Sequence, residues 1–198
     1  MMLLTFEAGL LTSSALTSSG IGSSPSPIHR ASNEGLRGSN PRRVSRLDST
    51  VSAIDIVLKR FEIDPNRRKR VAEAIVMSSS RHNVDPRLIA SIMIVESRAN
   101  PFAISNLESI GIMQIHLATW GQQAEREGIN LFKIEDNVDL GSRILKDYIH
   151  RFGLWEGVKR YNGWNPDNPE SFQAANDYLA KVQHIYGVEK APLSSALN

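Results

Sequence analysis

The 198-residue chain contains no cysteine, so neither a disulfide framework nor a thiolate metal site can form, and thiols say nothing about the redox compartment. No stretch approaches the roughly 18 consecutive apolar residues that a membrane-spanning helix needs, so no membrane span is expected. His29, His82, His116, His150 and His184 are scattered, and no HExxH, GxSxG or GxxxxGK segment occurs. The common zinc-hydrolase, serine-hydrolase and phosphate-cradle signatures are therefore missing, and neither a metal nor any other cofactor is implied. Alternating runs of strand length and internal repeats are also lacking, which points to a mainly helical fold.

Charge is the next scarcity. The formal net charge is +2, but residues 1–48 hold five Arg against Glu7, Glu34 and Asp48, leaving 18 basic and 18 acidic residues in the remainder. A neutral folded part lacks the clustered cation that releases counterions from phosphates, so nucleic acid is not an expected partner. An uncharged polymer such as a glycan suits it better.

With 41% hydrophobic residues, the chain can build one domain of roughly 100–150 residues plus a tail. From Thr12 to about Ser49, Ser, Gly, Pro and Arg dominate, with too few large apolar residues to offset the entropy of ordering a backbone. Residues 1–49 are expected to be a disordered tail, 50–190 the domain, and 191–198 a C-terminal tail. The basic tail is either a solvated linker or an address for a secretion machine, a virion or an anionic surface. The opening MMLLTFEAGLL is interrupted by Glu7, no Lys or Arg precedes Arg30, and no small-x-small site follows, so a secretory leader is not expected.

Within the domain, Ser49 and Thr50 are expected to cap a first helix whose apolar face is Val51, Ile54, Leu58 and Phe61. Asp64-Pro65 separates it from a second, through Val71, Ala72, Ile75 and Val76. Asp85-Pro86 marks the start of a third, with Asp accepting orphan backbone donors and Pro at the first helical position. A fourth stripe, Val138, Gly141, Ile144, Leu145, Tyr148, Ile149 and Phe152, opens at Asn137 and stops at Gly153. The last helix carries Phe172, Ala175, Leu179, Val182 and Tyr186 and is expected to close at Gly187. Between them lie a polar loop, Asn100 to Ser109, and a short aromatic segment, Trp155 to Trp164.

The third helix presents Ile89, Ile92 and Met93 on its apolar stripe, and the same stripe continues to Glu96. A carboxyl among apolar neighbours holds its proton to higher pH, as a general acid requires. The alternative is a Glu that simply reaches solvent at the helix end. Periodicity does not decide between them.

Context does. Glu96-Ser97, Asn100-Pro101, Ala103-Ile104-Ser105, Gly111-Ile112-Met113-Gln114-Ile115, Asn137 with Gly141, and Tyr161-Asn162 follow one another in order. Together, over about Val84 to Gly187, they resemble the soluble lytic transglycosylase family of the lysozyme superfamily. The resemblance implies a goose-type-lysozyme-like helical domain that cleaves peptidoglycan between N-acetylmuramic acid and N-acetylglucosamine, leaving a 1,6-anhydromuramyl end. Glu96 would be its catalytic acid and then base. An acetamido sugar can supply its own nucleophile, so one carboxyl suffices.

The resemblance also assigns Ser97 to substrate near the cleaved bond, although Ser97 could equally end its helix by bonding backbone. Gln114 would orient the acetamido group, with Gly111 permitting close approach. Met113 would both fill the core and face a sugar. Tyr161 would hydrogen-bond Glu96 and Asn162 would orient substrate. Asn137 is either a substrate contact or only a helix cap. Trp120, Trp155 and Trp164 are candidates for stacking on sugars, Trp164 foremost. One departure is Leu107-Glu108-Ser109-Ile110, where the family commonly has small apolar residues. Glu108 is either a loop charge or a second carboxylate that would make the protein a muramidase, a hydrolase of the same fold. An inactive peptidoglycan-binding module is the other alternative. Peptidoglycan as partner implies action in the periplasm or cell wall, with a virion, a specialised secretion machine or a later true start that exposes a leader as routes.

Overall fold

In the computed structural model, which describes residues 41–188, helix α1 spans Pro41–Arg60. It starts upstream of the pair expected to cap it, so part of the expected tail is helical. The hydroxyls of Ser49 and Thr50 donate instead to the Arg46 carbonyl, at 2.8 and 2.9 Å, as Ser and Thr do inside a helix. The rest of the N-terminal tail and residues 191–198 lie outside the described residues.

Helix α2 (Pro65–His82) is capped by Asp64, whose carboxylate accepts from the Asn66 amide. It buries Val71, Ala72, Ile75 and Val76, the stripe read from the sequence. Helix α3 (Pro86–Ser97) is capped by Asp85 in the same way, and Leu88 through Ile94 are all buried. That helix is the axis of the core, packed by α1, α2 and the last helix, α7 (Ser171–Val188). Gly187 lies inside α7 rather than ending it.

After α3 the chain makes an antiparallel ribbon, β1 (Ser109–Ile110) with β2 (Ile115–His116), Ser109 facing His116 and Ile110 facing Ile115. Strands this short cannot display an alternating pattern, which explains why none was expected. Helix α4 (Leu117–Arg126) buries only Ala124, leaving too thin an apolar stripe to announce it. Helix α5 (Ile134–Phe152) begins ahead of Asn137, with no side-chain cap but with Glu135 and Asp136 in its first turn, where the helix dipole favours anions. Gly153 ends it at φ 82°. The aromatic segment then forms α6 (Leu154–Tyr161).

Helices α5 and α6 touch backbone to backbone at Gly157. A Cβ there would meet the Ile149 amide nitrogen at 2.7 Å and the Tyr148 carbonyl carbon at 2.8 Å, so the helices must separate to admit one. Gly157→Ala is expected to destabilise the protein by roughly 1–3 kcal/mol, read from the midpoint of urea unfolding.

Candidate active site

Glu96 stands on the last turn of α3, partly buried, at a groove of about 680 Å³ whose walls come from the loop before β1, the ribbon, α4 and the α6 end. The hydroxyl of Tyr178 on α7 donates to its Oε1 at 2.6 Å. Burial pushes the Glu96 carboxyl up to about 7, with the Tyr178 hydrogen bond opposing that rise. It is the one carboxylate among the groove's lining residues. Glu108 is exposed and does not line the groove. It occupies a positive-φ position in the turn ahead of β1, and its carbonyl accepts from the Leu117 amide.

The expected bond from Tyr161 to Glu96 is not formed. Tyr161 donates to the Met113 carbonyl at 2.8 Å, because α6 directs its hydroxyl onto the turn between β1 and β2. It remains close to the acid: burial first, then the Glu96 charge, raise the Tyr161 phenol pKa. Tyr178 went unnoticed in the sequence although it falls three residues after Ala175 and four before Val182, on the expected apolar stripe of α7. Its burial was legible. Its partner, distant along the chain, was not.

Three other motif residues hold the Gly111–Gln114 turn rather than face the groove. Asn137 is 0% exposed. Its Oδ1 accepts from the Met113 amide at 2.8 Å, and its Nδ2 donates to the carbonyls of Ile110 at 3.0 Å and Leu131 at 2.8 Å. It is neither a cap nor available to a sugar, since both ends of its amide are spent on backbone. Ser97 takes the backbone option: its hydroxyl donates to the Ile112 carbonyl at 2.7 Å and accepts from the Asn100 amide at 3.1 Å. Met113 is fully buried, so of its two expected roles only core packing is realised.

Two glycines make this packing sterically feasible. Gly111 has φ 79°, and a Cβ on it would sit 2.3 Å from both Asn137 Nδ2 and the Leu131 carbonyl. At Gly141 on α5 a Cβ would meet Met113 Cβ at 2.8 Å and the Tyr161 hydroxyl at 3.0 Å.

Gln114 and Asn162 do line the groove. Gln114, at φ 53°, donates its amide to the carbonyls of Gly111 at 3.0 Å and Ala103 at 3.3 Å. Asn162 is exposed at the α6 end. Of the tryptophans, Trp120 on α4 lines the groove. Trp164, the one expected foremost, instead packs against Lys159 Nζ, 4.1 Å from its ring centroid, and against Phe172. Trp155 packs edge-on against Tyr186. Among the described residues, no helix is long and apolar enough to cross a membrane.

A family model described as Transglycosylase SLT domain matches residues 73–177, from α2 to the residue before Tyr178. A transglycosylase of Enterobacteria phage PRD1 is 33% identical over 82 residues, 41% of this chain and 29% of that protein. The membrane-bound lytic murein transglycosylase C of Glaesserella parasuis serovar 5 (strain SH0165) is 31% identical over 125 residues, 57% of this chain and 33% of that one. The membrane-bound lytic murein transglycosylase E of Buchnera aphidicola subsp. Baizongia pistaciae (strain Bp) is 31% identical over 93 residues, 43% of either chain. The chain thus spans 29–43% of the length of these relatives.

The raised carboxyl has a cost in stability. Because folded Glu96 binds its proton more tightly than the unfolded chain, its contribution is fully present below about pH 4.5 and is lost as pH rises to about 7. Glu96→Gln removes that loss. The variant is expected to be more stable than the parent by roughly 1–3 kcal/mol at pH 8 and to show little difference at pH 4, in urea melts at the two pH values.

Proposed function

Because the chain belongs to the Transglycosylase SLT domain family, we propose that it is a peptidoglycan lytic transglycosylase in which Glu96 is the single acid and base. The bond cleaved is the β-1,4 link from N-acetylmuramic acid to N-acetylglucosamine, and the product carries a 1,6-anhydromuramyl end. What supports the reading above all is a carboxyl of pKa about 7, tethered by Tyr178, in an open groove lined by no other carboxylate.

In the first step the protonated Glu96 gives its proton to the glycosidic oxygen as the bond to C1 breaks, and the N-acetylglucosamine side leaves as an alcohol. The positive charge developing at C1 is met by the carbonyl oxygen of the muramyl acetamido group, which takes the place of a second carboxylate. Glu96, now ionised, accepts the proton of the muramyl 6-hydroxyl as its oxygen closes on C1. The acetamido group is released, and the enzyme regains its protonated acid. No water is consumed. Holding the muramyl unit with its 6-hydroxyl near C1 favours this internal attack.

In this reading Gln114 and Asn162 contact the sugar and Trp120 offers an aromatic wall. Ser97, Asn137, Met113 and Tyr161 are positioning residues, holding the turn against which the acid is set. The glycan strand of peptidoglycan is the partner, and the periplasm or cell wall is the site of action. The phage relative supports a virion as one carrier, beside a secretion machine.

Glu96→Gln is expected to abolish lysis of a cell-wall suspension while binding to wall fragments persists, and Glu108→Gln to keep most activity. Mass spectrometry of the parent's digest should find 1,6-anhydro ends. A dominant free reducing end would replace the transglycosylase reading with a muramidase, and lysis by Glu96→Gln would remove the site assignment.

Since the proton-bearing acid starts the reaction, activity should fall as pH rises through about 7. Tyr178→Phe deletes the hydrogen bond that lowers the Glu96 pKa, so the residual activity of that variant should keep its alkaline limb at higher pH than the parent. A pH profile of the initial rates checks this.

A further inference from the structure

Among the 14 residues lining the groove, Glu96 is the one carboxyl group and Arg160 the one arginine or lysine. Arg160 is the residue just before the Tyr161-Asn162 pair, and nothing in the reaction outlined above uses it. Its guanidinium carbon lies 4.6 Å from the centroid of the Phe152 ring and 4.9 Å from that of Trp164, within the range where a cation gains from an aromatic face. Its Nε is buried and donates no hydrogen bond. Glu156 Oε1 stands 3.5 Å from that nitrogen, and the other oxygen of the same carboxylate, Oε2, takes Lys159 Nζ at 2.8 Å. One carboxylate is therefore shared by two cations, and this wall of the groove keeps one positive charge to spare.

A guanidinium packed against two rings is already ordered, so little rotamer entropy is lost when it meets a ligand. Its side chain keeps 22% exposure, which leaves it accessible from the groove. The planar, charged donor fork of arginine matches a carboxylate in shape and sign, and an uncharged sugar hydroxyl would not offset its desolvation. Resting on the reading of the protein as a peptidoglycan transglycosylase, we propose that Arg160 recognises a carboxylate carried by the glycan strand and so selects strands that bear one. Peptidoglycan offers that group in two places. It is present on the stem peptides, and on the lactyl ether of the muramyl unit once a peptide has been removed. Arg160 is thus a specificity-determining residue at the acid's end of α6, outside the proton transfers.

The test uses the full chain and two kinds of soluble strand, one with stem peptides and one stripped of them, each with its carboxylates free or converted to methylamides. Binding is measured by calorimetry in a Glu96→Gln background, which needs no turnover, and cleavage is measured separately with Glu96 intact. Free-carboxylate strands are expected to bind about tenfold more tightly than their methylamides, the size of one charge-assisted hydrogen bond in a partly open site. Arg160→Met, whose unbranched side chain still packs against the rings, should bind the two forms equally. Arg160→Lys, which keeps the charge without the flat stack, should keep a smaller preference and guards against reading a folding defect as lost recognition.

A preference seen only with peptide-bearing strands assigns the peptide carboxylates, and one that persists on stripped strands assigns the lactyl group. Equal binding of free and methylamidated strands before Arg160 is changed, or a full preference surviving in Arg160→Met, overturns the proposal. Lysis without discrimination would remove Arg160's role and leave the transglycosylase. Discrimination without lysis by the protein with Glu96 intact would do the reverse.

Discussion

One buried amide supports the geometry of the groove. Asn137 spends both ends on backbone, accepting from Met113 and donating to Ile110 and Leu131, and thereby fastens the turn between β1 and β2 to α5. Inside a protein an unpaired backbone group costs about 1–3 kcal/mol, and an apolar residue here would take a side-chain partner from three backbone groups. Around that amide the other constraints fall into place. Gly111 and Gly141 leave room for it and for Met113, while Ser97 ties the same turn to α3 and Tyr161 ties it to α6. Three helices thus grip one short turn, and the acid on α3 is placed relative to Gln114 through those grips.

This arrangement changes what the sequence motif means. Glu-Ser, Gly-Ile-Met-Gln, Asn and Tyr-Asn read naturally as a row of substrate contacts. In the folded chain Ser97, Asn137 and Tyr161 bond backbone and Met113 fills the core, and only Glu96, Gln114, Tyr161 and Asn162 reach the groove wall. A polar side chain in a motif can be retained to satisfy a carbonyl as much as to bind a sugar, and its type alone does not separate the two.

Much of the helical architecture was legible because it rests on local chemistry. Asp64-Pro65 and Asp85-Pro86 start α2 and α3 where capping and proline geometry say they should, and the stripes of α2 and α3 and the first half of that of α5, through Leu145, are buried as their period demands, while Phe152 at the α5 end is exposed. The misses have different physical causes. Helix α4 has almost no buried stripe of its own. The strands are too short to show a period. Helix α1 runs through hydroxyls that resemble caps. At the site, the stripe of α3 pointed to Glu96, yet nothing local said that Tyr178 rather than Tyr161 would meet it.

That pairing joins residues 82 apart in the chain. During synthesis the turn, the ribbon and Gln114 all precede α7, so the scaffold of the groove can assemble while Glu96 still lacks its phenol. The acid gains its hydrogen bond only when α7 has emerged and docked on α3. Loosening α7 alone would therefore free the carboxyl of its phenol while the turn stays held by Asn137, Ser97 and Tyr161.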